Sequence, residues 1–184
     1  YSEEWHKEAE RRGLPNLKST IDVLPVAVRK DTVELFSKYK VFTEKELQSR
    51  LNVLSEAYLK AISIEARTAL LMANQHILPA SLKYQKDVAE AVLSAKNAGV
   101  DNSSQLELLK TLTAAIADFQ RATAALSKAI EHHVEGTPYD HAKAARENIL
   151  PQLQAIRAAG DRLETLVSDE YWPLPTYREM LFIK

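Results

Sequence analysis

No cysteine occurs in the 184-residue sequence, which excludes a disulfide framework, a thiolate metal site and a cysteine nucleophile. Glycine is scarce, with four in the chain, and no phosphate-cradling loop, dinucleotide fingerprint or nucleophile elbow is formed by them. Neither sign of charge prevails: 24 Lys and Arg face 25 Asp and Glu, for a formal net charge of -1. A nucleic-acid binder concentrates positive charge on one face, and that footprint is missing. Long hydrophobic runs are lacking too. The most apolar region, residues 61–82, is interrupted by Glu65, Arg67 and His76, short of the roughly 20 uninterrupted apolar residues that span a bilayer. The N-terminus lacks the basic-then-apolar layout of a signal peptide. Repeats, low-complexity tracts and strand-like alternation are absent. The expected setting is reducing and cytoplasmic, with neither nucleic acid nor membrane as partner.

What is present, 46% apolar and 27% charged residues, suits one soluble globular domain, and its local signals are those of helices. Ser2 caps a first helix over 3–12, with Glu3 and Glu4 at its positive end, Arg11 and Arg12 at its negative end, and Gly13 and Pro15 closing it. Ser19-Thr20 opens a turn through Leu24. Asp31 with Glu34 reads as a capping box for a helix ending near Lys40, and Thr43 with Glu46 as a second box. The second box begins the longest element, over 44–98, which Pro79 is expected to bend or break. Leu47, Leu51, Leu54, Tyr58, Ile62, Val88, Val92 and Ala95 mark its buried stripe.

Ser104 with Glu107 is expected to cap the next helix. Its seam runs through Leu109, Leu112, Ile116, Phe119, Thr123, Leu126, Ile130 and His133, in alternating steps of three and four like a coiled coil. Thr137-Pro138 with Asp140 starts the last long helix, whose seam is Ile149, Leu153, Ile156, Gly160, Leu163 and Val167. Short turns near Gly99 and Gly136 make the three long helices antiparallel, and alanines such as Ala114, Ala115, Ala124, Ala145 and Ala158 let them approach closely. Pro79 and Pro151 share the local sequence Ile-Leu-Pro and sit at nearly the same level, so two kinks are predicted side by side. At the C-terminus Trp172, Tyr177 and Phe182 carry large apolar area among prolines, and Thr176 with Glu179 can cap a final short helix. Such a tail is expected to dock. The predicted fold is therefore all-α: an antiparallel bundle of three long helices over 43–168, two of them proline-kinked. Shorter helices over 1–42 precede it and a docked aromatic tail over 169–184 follows.

Candidate sites are few. Glu3 and His6 form one Glu-x-x-His pair, but a carboxylate-bridged di-metal bundle needs two. His132 and His133, near Glu135, Asp140 and His141, are adjacent residues pointing about 100° apart, better suited to a negative helix end than to one metal. His76, beside Pro79, reads as a donor to freed backbone carbonyls. Glu65 and Arg67 read as an exposed or inter-domain face, since no His, Lys or Asp nearby completes a proton-transfer set. No catalytic, cofactor-binding or metal residue is assigned.

Three segments together resemble the C-terminal region of type III glutamine synthetases, the long bacterial form of that enzyme. The first runs from Ser2-Glu3-Glu4-Trp5 through Arg12-Gly13-Leu14 to Asp22-Val23-Leu24-Pro25. The second runs from Leu35-Phe36 and Val41-Phe42-Thr43-Glu44-Lys45-Glu46-Leu47 to Ile64-Glu65-Ala66 and Ile77-Leu78-Pro79-Ala80. The third is Trp172-Pro173-Leu174-Pro175-Thr176-Tyr177 with Leu181-Phe182. Residues 97–169 are generic helix. The resemblance implies a parent that joins ammonia to glutamate using ATP and divalent metal such as Mg, built of stacked hexameric rings. It implies that this chain is the helical segment after the catalytic domain, inactive alone, with its own catalytic domain and neighbouring subunits of the homo-oligomer as partners. A start at Tyr1 rather than Met agrees with a piece of a larger polypeptide.

Overall fold

The computed structural model describes residues 2–132, 134–175 and 177–181, with the side chains at 177 and 178 outside the description. Its described residues form helices and no strand. In chain order these are α1 (Glu3–Arg11), α2 (Thr20–Val23), a 3-10 turn (Leu24–Val28), α3 (Lys30–Lys38), α4 (Glu44–Met72), a π turn (Ala73–Ile77) and α5 (Leu78–Asn97). Then follow α6 (Ser103–Glu131), α7 (Pro138–Ala144), a second π turn (Ala145–Ile149), α8 (Leu150–Glu164) and α9 (Tyr177–Leu181).

Side-chain caps set four of the helix starts, those of α1, α2, α4 and α7. Ser2 Oγ accepts the Trp5 amide at 3.4 Å, and Ser19 Oγ accepts that of Asp22 at 3.3 Å. Thr43 and Glu46 form a reciprocal box before α4, with Thr43 N–H donating to Glu46 at 2.7 Å and Glu46 N–H to Thr43 at 3.3 Å. Thr137 and Asp140 do the same before α7. Each box satisfies two amide donors that a helix start otherwise leaves to water. Two expected caps are corrected. Helix α3 starts at Lys30, one residue ahead of Asp31, and Asp31 instead accepts from the Arg29 guanidinium and the Thr32 amide. Helix α6 starts at Ser103, and Asp101 rather than Ser104 takes its free amide, accepting Ser103 N–H at 3.0 Å. A short acidic side chain just ahead of a helix outcompetes a serine already inside it.

The helical path from Glu44 to Asn97 is unbroken at Pro79. What precedes each Ile-Leu-Pro is a five-residue π turn ending on the isoleucine, at Ala73–Ile77 and again at Ala145–Ile149. Leu78 N–H reaches back to the carbonyl of Ala73, five residues earlier. Widening the turn moves carbonyls away from the pyrrolidine ring, which in a regular helix would crowd the carbonyl four residues before it.

Contacts group the chain into two compact units: residues 1–60 with 134–146, and residues 61–133 with 147–184. In the first, Ile21, Leu24, Leu51 and Ala142 form a core bordered by Val28, Tyr58, Leu59 and Tyr139. Tyr139 donates to the Ile21 carbonyl at 3.1 Å, and Arg146 pairs with Asp22 at 3.2 Å. This ion pair is about one-third exposed on both sides, so it is worth at most about 1 kcal/mol. The α4 stripe departs from expectation at one place: Leu54 is 51% exposed and Ser55 is buried in its stead. Leu51, Ser55 and Ile62 face inward, and Leu54, one residue or about 100° from Ser55, faces out.

In the second unit α6 packs against both α5 and α8. Leu112, Ile116, Phe119, Thr123 and Leu126 are buried along α6, and Ile156, Gly160 and Leu163 along α8. The two seams read from spacing are therefore real, while His133 lies outside the described residues. Polar ties flank them: Gln85 to Thr113 at 2.7 Å, Asn102 to the Val92 carbonyl at 3.1 Å, and Arg162 to Asp118 at 3.3 Å. Of the alanines expected at close approaches, Ala115 and Ala145 are buried, whereas Ala114, Ala124 and Ala158 face solvent.

Replacing fully buried Leu112 by alanine is expected to cost about 2–5 kcal/mol, and Leu54→Ala no more than about 0.5 kcal/mol. Urea unfolding of the two variants checks this, and equal losses would place Leu54 in the core. A Cβ added at Gly160 would sit 3.6 Å from Phe119 Cε2, an ordinary contact. Gly160→Ala is therefore expected to stabilise the chain by up to about 1 kcal/mol, and a lowered unfolding midpoint would show that the approach needs glycine.

Candidate functional site

Among the described residues, none of those weighed as catalytic or metal-ligating is brought into a cluster by the fold. Glu3 and His6 lie on α1, which has no buried residue. Among the described residues no group of three or more His, Cys, Asp or Glu is placed to hold a metal ion. His132 stands at the C-cap of α6, exposed, where a histidine meets the negative helix end. Asp140 is engaged in its capping box, and the Thr137 hydroxyl and amide hold its carboxyl below the usual carboxylate range. Glu65 and Arg67 are both exposed and do not pair with each other. His76 is exposed and makes no hydrogen bond to the backbone among the described residues. The side chains that do so around this turn are Asn74, donating to the Leu70 carbonyl at 3.0 Å, and Ser81, donating to that of Ile77 at 2.8 Å. Serine and asparagine side chains readily bond to a nearby backbone carbonyl.

Two other features stand out. The first, in the first unit, is apolar surface left uncovered. Residues 2–18 contain nothing buried, and Trp5 is 42% exposed, Leu14 51% and Leu17 42%. Tryptophan exposed beside two leucines on a single short segment is surface that normally meets a partner. Arg12 lies 6.0 Å from the Trp5 ring centroid, the one cover that ring receives from a cation among the described residues.

The second is a cavity of about 510 Å³ in the second unit, against the first π turn. Ala73, Ile77, Phe119 and Ile156 supply its apolar floor, and Trp172, Leu174, Pro175 and Met180 its outer wall. Glu65, Arg157, Asp161 and Glu164 stand at its edge. Leu153, two residues after Pro151, also lines it, so the cavity joins the neighbourhoods of both prolines. The wall is held by Tyr171. Its ring lies 5.5 Å from that of Tyr84, tilted by 53°, and its hydroxyl donates to Asp87. Trp172 is half-buried, and Phe182 and the Tyr177 side chain lie outside the described residues. Sequence reasoning singled out Trp172 and missed Tyr171. The signal available was a Tyr84–Asp87 pair three residues apart on one helix face, able to meet a ring and a hydroxyl together.

The chain belongs to the glutamine synthetase C-terminal domain family, whose model matches residues 1–96. That match ends where the generic helical stretch begins. More particularly, the chain is 31% identical over 194 residues to a type-3 glutamine synthetase from Dictyostelium discoideum. It is 32% identical over 187 residues to a glutamine synthetase from Butyrivibrio fibrisolvens, and 32% over 192 residues to one from Bacteroides fragilis (strain YCH46). These alignments cover 99–100% of this chain and 26% of each relative. The chain thus spans about a quarter of the length of the curated relatives it matches. No helix among the described residues is long and apolar enough to cross a membrane.

The Asp87 carboxylate raises the Tyr171 phenol above its ordinary value of 10.0. Because the folded value is raised, the latch contributes fully below the unfolded-state pKa and is lost as pH rises through the folded one. Tyrosine absorbance titration is expected to show one phenol ionising late, with the late phase absent in Tyr171→Phe and moved to lower pH in Asp87→Asn. A late phase unaffected by either change would remove the latch.

Proposed function

We propose that this chain is a non-catalytic, cytoplasmic accessory domain of a type III glutamine synthetase. The glutamate-ammonia ligase chemistry, with its ATP and Mg, is then carried by a catalytic domain elsewhere in the same polypeptide. The observation that carries this reading is the family match at residues 1–96 in a chain spanning 26% of its relatives' length. The uncovered surface of Trp5, Leu14 and Leu17 gives the domain something to do. It is a docking face for the rest of its own subunit, or for a neighbouring subunit of the assembled enzyme. An independent helical interaction module is the other reading, and it predicts a fold with no such surface left open. The open surface on residues 2–18 favours the accessory domain.

Trp5 is the reporter that tests this. With Trp172→Phe, Trp5 is the one tryptophan left of two, and in the 184-residue chain it should emit as a solvent-exposed indole quenched by acrylamide. Within the complete synthetase subunit its contribution, read as the difference between the subunit with Trp5 and the same subunit carrying Trp5→Phe, should shift to the blue and lose that quenching. Unchanged quenching there overturns the docking. Light scattering across a range of concentrations separates the two docking partners: a monomer supports docking on the chain's own subunit, and a stable oligomer assigns self-association to this segment. Glutamine formation by the 184-residue chain from glutamate, ammonia and Mg-ATP would overturn the accessory role itself.

A further inference from the structure

We propose that the cavity at the first π turn is a binding site for a small amphiphilic cation, a primary amine or guanidinium carried on an apolar body about the size of a phenylbutyl group. The volume, about 510 Å³, lies within the ~300–1,000 Å³ range of small-molecule sites. The floor is apolar, and Phe119 within it is 1% exposed, so an apolar body placed there rests on closely packed hydrophobic side chains. A π turn contributes Ala73 and Ile77 to that floor, and such turns recur at functional sites because they break the regular surface of a helix.

The edge of the cavity selects the sign of the charge. Three carboxylates, Glu65, Asp161 and Glu164, meet one guanidinium, that of Arg157. Arg157 is already committed to Asp161 at 3.6 Å. Glu65 and Glu164 are left with no ion-pair partner among the described residues. Two unpaired carboxylates beside an apolar floor attract a cationic head and repel an anionic one, and the Trp172 ring in the wall adds a face on which a cation can rest. A neutral ligand would gain the floor and nothing from the edge. A carboxylate ligand would lose at the edge what it gains at the floor.

The test uses three probes that share one body: 4-phenylbutylamine, 4-phenylbutanol and 4-phenylbutyrate. In a Trp5→Phe chain, Trp172 is the only tryptophan and sits in the cavity wall. The amine is expected to change its fluorescence saturably, at least tenfold more tightly than the alcohol or the acid, and more tightly still at low salt. Glu65→Gln combined with Glu164→Gln should bring the amine down to the level of the alcohol. The two positions are exposed and half-exposed, so the far-ultraviolet circular dichroism and the unfolding midpoint should not move. Equal affinities for the three probes would make the cavity a nonselective apolar hollow. That result, an amine affinity unaffected by the double variant, or no saturable response would each overturn the proposal.

Discussion

A proline nitrogen carries no hydrogen, and its ring occupies space that a regular helix gives to the carbonyl four residues earlier. Two long helical paths in this chain contain such a residue, at Pro79 and Pro151, and both meet the difficulty in the same way. Five residues before the Leu-Pro step are wound more widely, so that the amide of Leu78 bonds to Ala73 rather than to the residue after it. The path stays helical on both sides. Side chains beyond the turn are advanced by one position relative to those before it, which shifts the register of the face that α5 buries. The turn also spreads neighbouring side chains apart, and the cavity lined by Ala73 and Ile77 lies where that spreading occurs.

Around the first π turn the second unit is held by close contact of α6 with α8. Phe119 is the largest fully buried side chain described, and it faces Gly160 rather than a bulkier residue. Burying one aromatic ring against a glycine brings the two helices near enough for Leu112, Leu126 and Leu163 to be fully enclosed above and below it. Each such leucine contributes on the order of 1.5–3 kcal/mol through removal from water. The exposed ion pairs along α5 and α6, such as Lys86 with Glu90 and Lys110 with Glu107, add little, since exposed pairs are screened and lose side-chain entropy. The seam, not the charge pattern, holds the unit.

Much of this was legible because periodicity and capping are local. Leu112, Ile116, Phe119 and Leu126 recur at helical spacing, and the Thr43–Glu46 and Thr137–Asp140 boxes need only residues three apart. The errors came where two local signals competed. Asp31 with Glu34 and Ser104 with Glu107 have the spacing of caps, yet Lys30 and Ser103 already start those helices. Spacing cannot say which of two adjacent polar residues stands outside the first turn. Leu54 and Ser55 are neighbours, and spacing alone favours the leucine for the core. Burial there follows helix phase, which selects Ser55 and leaves its hydroxyl without a partner among the described residues. The π turns were illegible as such, because proline announces a disturbance without specifying its form. Nor does spacing reveal a cavity, which depends on segments as far apart in sequence as Ile77 and Trp172.

The two ends of the described chain differ in how their aromatics are treated, and the difference bears on function. Near the C-terminus Tyr171 is fixed twice, by its ring on Tyr84 and its hydroxyl on Asp87, and Trp172 is half-buried beside it. Near the N-terminus Trp5, Leu14 and Leu17 have no comparable anchor, and α1 buries none of its residues. An isolated helix of nine residues is below the length that is stable in water on propensity alone. The capping by Ser2 and the pairing of Glu8 with Arg11 and Arg12 supply only part of what it lacks. A segment with that composition reaches full stability when its apolar side is covered. In the docking proposed above, such a short, pre-capped helix is laid against its cover with little entropy left to lose.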